Sequence, residues 1–93
     1  MAEYPTLHIL NKAPEHPRTA QCLAALAPDD ALLLIENGTL LLATQGAPAA
    51  CQLFALAPDI QARGLRVDTK QMKTVDYSDM VSLSLAAKRV ISW

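Results

Sequence analysis

The feature that most constrains the fold is an apolar run at residues 31–35, Ala-Leu-Leu-Leu-Ile, which contains no polar residue. The run has the length of a β-strand but lacks the polar alternation of a strand with one face in water. A strand that is apolar throughout is typical of a parallel sheet covered by helices on both faces. Asp30 precedes the run and Gly38 follows it, as expected at strand boundaries. The run therefore predicts a buried parallel strand in an α/β protein.

Further segments of strand length alternate with segments of helical pattern along the chain. Turn residues such as Pro14, Pro28 and Gly64 separate them. Predicted strands cover residues 6–10, 31–35, 52–56, 72–75 and 89–92. Predicted helices cover residues 19–26, 39–43, 59–62 and 76 or 78 to 87, with residues 40–42 also compatible with a strand and residues 45–49 with a loop or a weak helix.

This alternation predicts right-handed crossovers between parallel strands. The predicted fold class is α/β, a compact three-layer domain with a mostly parallel sheet of four to five short strands flanked by helices. With 93 residues the chain is long enough for one domain. Its 52% hydrophobic residues exceed what a small monomer needs, and two explanations remain open: a parallel sheet covered on both faces, and apolar surface buried against other subunits.

The sequence lacks the features that are typical of several functional classes. The formal net charge is −1 and no basic stripe is present, which argues against direct nucleic-acid binding. The turn after the first strand has no glycine, so no nucleotide cofactor is expected. No apolar stretch approaches the length of a membrane helix. Glu3, Tyr4 and Pro5 precede the first strand where a signal peptide would carry basic residues, so a cytoplasmic protein is expected.

Cys22 is the candidate catalytic residue. Cys22 and Cys51 form neither a CxxC pair nor a zinc-ligand spacing, and no metal is expected. Cys22 lies in the first predicted helix, four residues before Leu26, which places the two side chains on one face. One interpretation is a small apolar residue packed beside Leu26. The other is a persulfide-carrying thiol near a helix N-terminus, where the helix dipole favours the thiolate.

Other polar residues have plainer interpretations. His8 lies within the first predicted strand and is expected to be a hydrogen-bonded core or sheet-end residue. Asp76 and Asp79 could act as an acid–base pair. Their position at the start of a predicted helix instead favours capping. Cys51 is expected to pack at the start of the third strand.

Five segments, in order, resemble the TusB/DsrH family of the DsrE-like superfamily. They are residues 7–14 (Leu-His-Ile-Leu-Asn-Lys-Ala-Pro), 30–38 (Asp-Ala-Leu-Leu-Leu-Ile-Glu-Asn-Gly), 56–65 (Leu-Ala-Pro-Asp-Ile-Gln-Ala-Arg-Gly-Leu), 75–81 (Val-Asp-Tyr-Ser-Asp-Met-Val) and Trp93. DsrH proteins are similar to this chain in having a cysteine at Cys22. The departures are an N-terminal extension at residues 1–6, Ala13 for serine, Asn37 for aspartate, and a short segment at residues 45–50.

The resemblance implies a DsrE-like fold and a subunit of a sulfurtransferase complex, a heterohexamer with TusC/DsrF-like and TusD/DsrE-like subunits. Such complexes pass persulfide sulfur to a TusE/DsrC-like acceptor, either for 2-thiouridine at the tRNA wobble position or in sulfur oxidation. The favoured hypothesis is a non-catalytic assembly subunit. Two alternatives remain open: an active thiol carrier that uses Cys22, and an unrelated α/β module that binds a small molecule.

Overall fold

The computed structural model describes residues 3–44, 50–68 and 72–93. In these residues strands and helices alternate along the chain. The strands are β1 (Tyr4–Leu10), β2 (Ala31–Leu34), β3 (Gln52–Leu56), β4 (Lys73–Val75) and β5 (Ala87–Ser92). The helices are α1 (Pro17–Ala25), α2 (Ala57–Ala62) and α3 (Tyr77–Ala86), and a 3₁₀ helix covers Glu36–Ala43.

The five strands form one sheet in the order β4-β3-β2-β1-β5, and every neighbouring pair is parallel. Leu32 of β2, the central strand, pairs with His8 of β1 on one side and with Leu53 of β3 on the other. All four residues of β2 are buried. The prediction of a buried parallel strand is therefore confirmed, as is the α/β fold class.

Side chains of β2 alternate between two core clusters, one on each face of the sheet. Leu32 and Leu34 belong to a cluster that includes residues of α1, α2 and the 3₁₀ helix. Leu33 belongs to the other cluster, in which Leu83 is the buried residue of α3. Helices α1 and α2 therefore cover one face, while α3 covers the other. This is the predicted three-layer arrangement.

Strand β1 begins earlier than expected. It starts at Tyr4 rather than at Thr6, so that residues 4–6 of the predicted N-terminal extension belong to the sheet. Tyr4 pairs with Ala87 of β5, because β5 also begins earlier than predicted and follows α3 without a loop. Both strands are longer than their apolar patterns indicated, since pairing between neighbouring strands extended them.

The segment after β2 also differs from its prediction. The 3₁₀ helix begins at Glu36, three residues before the predicted start at Thr39, and Glu36 has a φ of 49°. Thr39 Oγ1 donates to the carbonyl of Glu36 at 2.7 Å, which stabilises the first turn. Gly38 packs against β1, where a Cβ atom would lie 2.1 Å from the carbonyl oxygen of Leu10, so only glycine fits. Residues 45–49, predicted as a loop or weak helix, lie outside the described residues.

Two helix ends are formed by the residues that the sequence indicated. Gly64, at a φ of 61°, follows α2 and donates its N–H to the carbonyl of Gln61. The next N–H, of Leu65, bonds the carbonyl of Ile60, which completes a Schellman motif. At the start of α3, Asp76 and Asp79 form a capping box, each side chain accepting the other's backbone N–H. The capping interpretation of this pair is confirmed.

Candidate functional site

The loop after β1 folds tightly onto the start of α1 and fixes where this helix lies. His16 is the N-cap, and its Nδ1 accepts the backbone N–H of Arg18 at 3.0 Å. Pro17 suits the first helical position because its missing N–H would have no helical partner. Thr19 Oγ1 donates to the carbonyl of Ala13 at 2.7 Å. These bonds position Cys22 and the rest of α1 over the sheet.

Cys22 lies past the first turn of α1, and its side chain is fully buried. It belongs to the core cluster that includes Leu10 and Leu34. Burial, followed by the electrostatic effect of Cys51, raises the pKa of the Cys22 thiol from 9.0 to about 11. A persulfide carrier needs a pKa shift in the opposite direction and access for its sulfur donor. The geometry therefore favours the interpretation of Cys22 as a packed core residue.

Cys51 precedes β3 on the same side of the sheet and is half-buried against the same cluster. Burial raises the pKa of its thiol, and the charge of Asp30 raises it further, while a backbone hydrogen bond involving Leu32 opposes this. Both cysteines are free thiols. Neither environment stabilises a thiolate, so the pair does not form an evident sulfur-transfer site.

The most elaborate polar arrangement is centred on His8, whose side chain is only 2% exposed. Its Nε2 lies 2.9 Å from Asp30 Oδ2, across the junction between β1 and the turn before β2. The same carboxylate oxygen accepts the backbone N–H of Ala27 at 3.0 Å. Asp30 therefore closes the turn after α1 and also holds the imidazole ring. The sequence prediction of a hydrogen-bonded strand histidine is confirmed.

Trp93, which follows β5, holds the other side of the His8 ring. Its indole Nε1–H donates to His8 Nδ1 at 3.1 Å, with the two ring planes 18° apart. Its backbone N–H donates to the carbonyl of Ile9 at 2.9 Å. The Arg18 guanidinium lies 5.3 Å from the centroid of the indole ring, within cation–π range. We call His8, Asp30, Trp93 and Arg18 the His8 cluster.

These bonds define the proton positions on His8. An indole N–H can only donate, so Nδ1 must accept and the remaining proton lies on Nε2, directed at Asp30. Burial alone would raise the pKa of Asp30. The bonds from His8 and Ala27, together with the electrostatic effects of His8 and Arg89, outweigh burial and lower that pKa below its usual 3.8. The Nε2–H of His8 thus donates to an ionised carboxylate.

An open depression of about 470 Å³ lies beside Asp30 at the amino-terminal ends of β1 and β3. It is lined by residues 3–5 and 28–30 and by Gln52. Glu3 and Asp29, two exposed carboxylates, are among these residues. The charge of this depression disfavours anionic ligands such as nucleotides.

Among the residues that the structure describes, no group of three or more His, Cys, Asp or Glu side chains could hold a metal ion. Within the same ranges, no helix has the length and apolar character needed to cross a membrane. Sequence reasoning identified His8 and Trp93 separately but not their contact. A buried strand histidine needs a hydrogen-bond partner for each ring nitrogen, and this requirement was the one indication in the sequence that His8 would have such partners.

Comparison with known proteins agrees with this architecture. The solution NMR structure of protein Tm0979 from Thermotoga maritima superposes with a TM-score of 0.65, covering 84% of this chain and 88% of that one. At 20% sequence identity this likeness concerns the fold. Proteins named TusB are similar in sequence: 27% identical in Pectobacterium parmentieri and 29% in Erwinia tasmaniensis, over 94% of this chain and 99% of each relative.

The sequence model of the family described as DsrH like protein matches residues 12–90. That range extends from the loop after β1 to β5 and so includes most of the sheet and all three helices. It also includes Cys22 and Asp30, whereas His8 and Trp93 lie just outside it. The chain belongs to the TusB/DsrH family.

Proposed function

We propose that this protein is an assembly subunit of a cytoplasmic sulfur-relay complex, with TusC/DsrF-like and TusD/DsrE-like partners and a TusE/DsrC-like sulfur acceptor. The similarity to proteins named TusB, along almost their full length, favours the branch that forms 2-thiouridine at the tRNA wobble position. In this proposal the partners carry the reactive sulfur, and this chain contributes a binding surface. The buried Cys22 supports the division of roles.

The observation that carries the proposal is the outer face of α3. Tyr77, Val81 and Leu85 recur every four residues and are 60%, 58% and 82% exposed. The three side chains therefore form an apolar stripe along one side of the helix. Asp79 is the only charged residue in the sequence of α3. A helix that is apolar on its outward face as well as its inward one is typical of a helix buried on both sides.

Val90 extends this apolar surface onto the sheet edge. It lies in β5, the edge strand beside β1, and is 42% exposed. We define the α3 surface as Tyr77, Val81, Leu85 and Val90. Exposed apolar patches on small soluble proteins often mark interaction sites.

The occupant of the α3 surface is another subunit of the complex rather than a charged acceptor. A charged group placed against Val81 and Leu85 would lose its water shell without gaining a counter-ion. An uncharged apolar face, such as the matching helix of a homologous α/β subunit, has no such cost. The core of a stable interface is depleted of charge in the same way.

The test is co-expression of this chain with TusC-type and TusD-type proteins from the same organism, followed by native mass measurement of the purified material. We expect a stable complex that contains this chain. In the same complex, Cys22→Ala should leave sulfur transfer to the TusE-type acceptor within about twofold of the unsubstituted rate. Absence of a complex would contradict the assembly role, whereas a complex that loses transfer would identify Cys22 as a thiol carrier.

A further inference from the structure

Strand β5 lies at one edge of the sheet, and among the described residues β1 is its only strand partner. The backbone N–H of Trp93, directly after β5, donates to the carbonyl of Ile9 in β1. Alternate residues of a strand direct their N–H and C=O groups to the same neighbour. The backbone groups of Lys88, Val90 and Ser92 therefore face away from β1, and no strand of the described ranges pairs with them. The outer edge of β5 thus has the groups to hydrogen-bond a further strand.

We propose that the outer edge of β5 binds the same edge of a second copy of this chain. The two strands run antiparallel about a two-fold axis that passes between the two Val90 residues. In this register Val90 pairs with Val90 of the second copy, and Lys88 pairs with Ser92 of the second copy. Residues paired in this way exchange both backbone hydrogen bonds, so the outward N–H and C=O groups of β5 are satisfied. The two copies then share one continuous sheet through an interface that uses the same surface on each.

The charges of β5 select this register. The strand has two basic residues, Lys88 and Arg89, and no acidic one. An axis at either basic residue would set two like charges directly opposite each other, which destabilises a strand pair. An axis at Ile91 or Ser92 would leave Lys88 beyond the end of the opposing strand and would pair fewer residues. With the axis at Val90, each basic side chain lies opposite an uncharged residue, Ser92 or Ile91.

The side chains next to the axis also fit this arrangement. Val90 pairs with Leu7 of β1, a member of the core cluster under α3, so its side chain lies on the α3 face of the sheet. It is 42% exposed. The Cα atoms of a hydrogen-bonded antiparallel pair are about 5.5 Å apart, which brings the two Val90 side chains into apolar contact. On the other face, the aliphatic part of Arg89 lies opposite the half-buried Ile91, while its guanidinium keeps its bond to Thr6 Oγ1.

The opposite edge of the sheet offers a poorer partner for β5. Strand β4 has only 3 residues and includes Lys73, so a β4–β5 pair would be short and would bring Lys73 near the basic residues of β5. A pairing of unlike edges would also extend from copy to copy, whereas the two-fold pairing of β5 closes after two copies. The β5 strand of a second copy is therefore the occupant that length and charge favour.

The pairing needs no other subunit, so it is tested with the full-length chain alone, and its outcome is independent of the proposed assembly role. Sedimentation equilibrium should show a concentration-dependent dimer of twice the 10.0 kDa monomer mass. Val90→Lys places two like charges opposite each other at the axis and should weaken this dimer at least about tenfold. Tyr77→Lys adds the same charge where α3 begins, just after β4 at the far edge of the sheet, and should leave the dimer intact.

Cross-linking tests the register itself. In a Cys51→Ser background, where the buried Cys22 is the only native thiol, diamide is reduced as it takes up the hydrogens of two nearby thiols and joins them as a disulfide. Val90→Cys should yield a covalent dimer, because the Cα spacing across the axis lies within the span of a disulfide. Lys88→Cys should yield little, because the axis places its two copies about four residues, or about 13 Å, apart along the strands.

A protein that sediments as a monomer throughout its soluble concentration range would overturn the proposal. So would a dimer that survives Val90→Lys but is lost in Tyr77→Lys, since the two copies would then meet at the α3 surface. Equal cross-linking of Val90→Cys and Lys88→Cys, or no cross-linking of Val90→Cys while the dimer persists, would exclude the register centred on Val90.

Discussion

At the scale of single residues, burial decides what the polar side chains can do. Cys22 and His8 are both almost inaccessible, but the consequences differ. The thiol of Cys22 has apolar neighbours, which disfavour its charged form and raise its pKa. The imidazole of His8 has a partner on each nitrogen, so its burial is compensated by hydrogen bonds. Burial therefore disfavours the reactive thiolate of Cys22, whereas the polar ring of His8 is buried with its hydrogen bonds satisfied.

We expect Cys22 to be alkylated slowly in the folded protein. With a pKa of about 11 instead of 9.0, the thiolate fraction at pH 8 is roughly 100-fold lower, and the side chain is also shielded from reagent. In Cys51→Ser, where Cys22 is the sole thiol, alkylation should be at least about 100-fold slower than after unfolding in urea. Cys22→Ala, which leaves only the half-buried Cys51, should react faster. Rapid alkylation of Cys22 in the folded protein would instead support the thiol-carrier hypothesis.

At the scale of elements, the sequence predicted strands and helix ends best where neighbouring residues alone determine the local structure. The apolar run of β2 predicted a buried strand, and Gly64 and Asp76 predicted helix ends, because each signal acts within a few residues. The early start of β1 at Tyr4 could not be predicted in this way. It depends on pairing with Ala87, more than eighty positions away in the chain.

The contacts of the candidate site were even harder to predict, because they also join residues that are far apart in the chain. The sequence favoured a packed Cys22 and a hydrogen-bonded His8. It did not indicate that the hydrogen-bond partners of His8 are Asp30 and Trp93, which the strand order brings next to it. The positive φ of Glu36 was not predicted, because the two residues that tolerate a positive φ best in this turn, Asn37 and Gly38, come after it. Contacts between distant segments require the register of the sheet, which residue patterns do not specify.

The capping box of α3 provides a prediction at this scale. Asp76→Ala removes the side chain that accepts the backbone N–H of Asp79 at 2.7 Å, so the free energy of unfolding should fall by about 1 kcal/mol. Urea unfolding followed by circular dichroism measures this loss. Asp76→Ser keeps an oxygen acceptor at the N-cap and should retain most of the stability. Equal losses in both variants would mean that the cap contributes little.

At the scale of the whole molecule, the two faces of the sheet are unequal. One face is covered by α1, α2 and the 3₁₀ helix, while α3 covers the other. The high apolar content was compatible both with a sheet covered on both faces and with surface buried against other subunits, and it did not locate such a surface. The structure locates exposed apolar side chains on α3 and β5, and these explain part of the surplus. In the complex that we propose, the outer side of the helix that supports the core is the side that faces a partner subunit.

Leu85 is the most exposed member of the α3 surface, at 82%, and substituting it separates assembly from folding. Leu85→Lys should leave the unfolding midpoint of the isolated chain within experimental error, because the side chain contributes little to the core in its present position. In co-expression with the partner subunits, the same change should reduce recovery of the complex at least tenfold, since a buried lysine without a counter-ion costs more than about 1.4 kcal/mol. Ala24→Lys places the same charge on the exposed side of α1, on the opposite face of the sheet, and should leave the complex intact. If Ala24→Lys disrupts the complex and Leu85→Lys does not, the partner binds over α1, and the apolar stripe of α3 must be explained in another way.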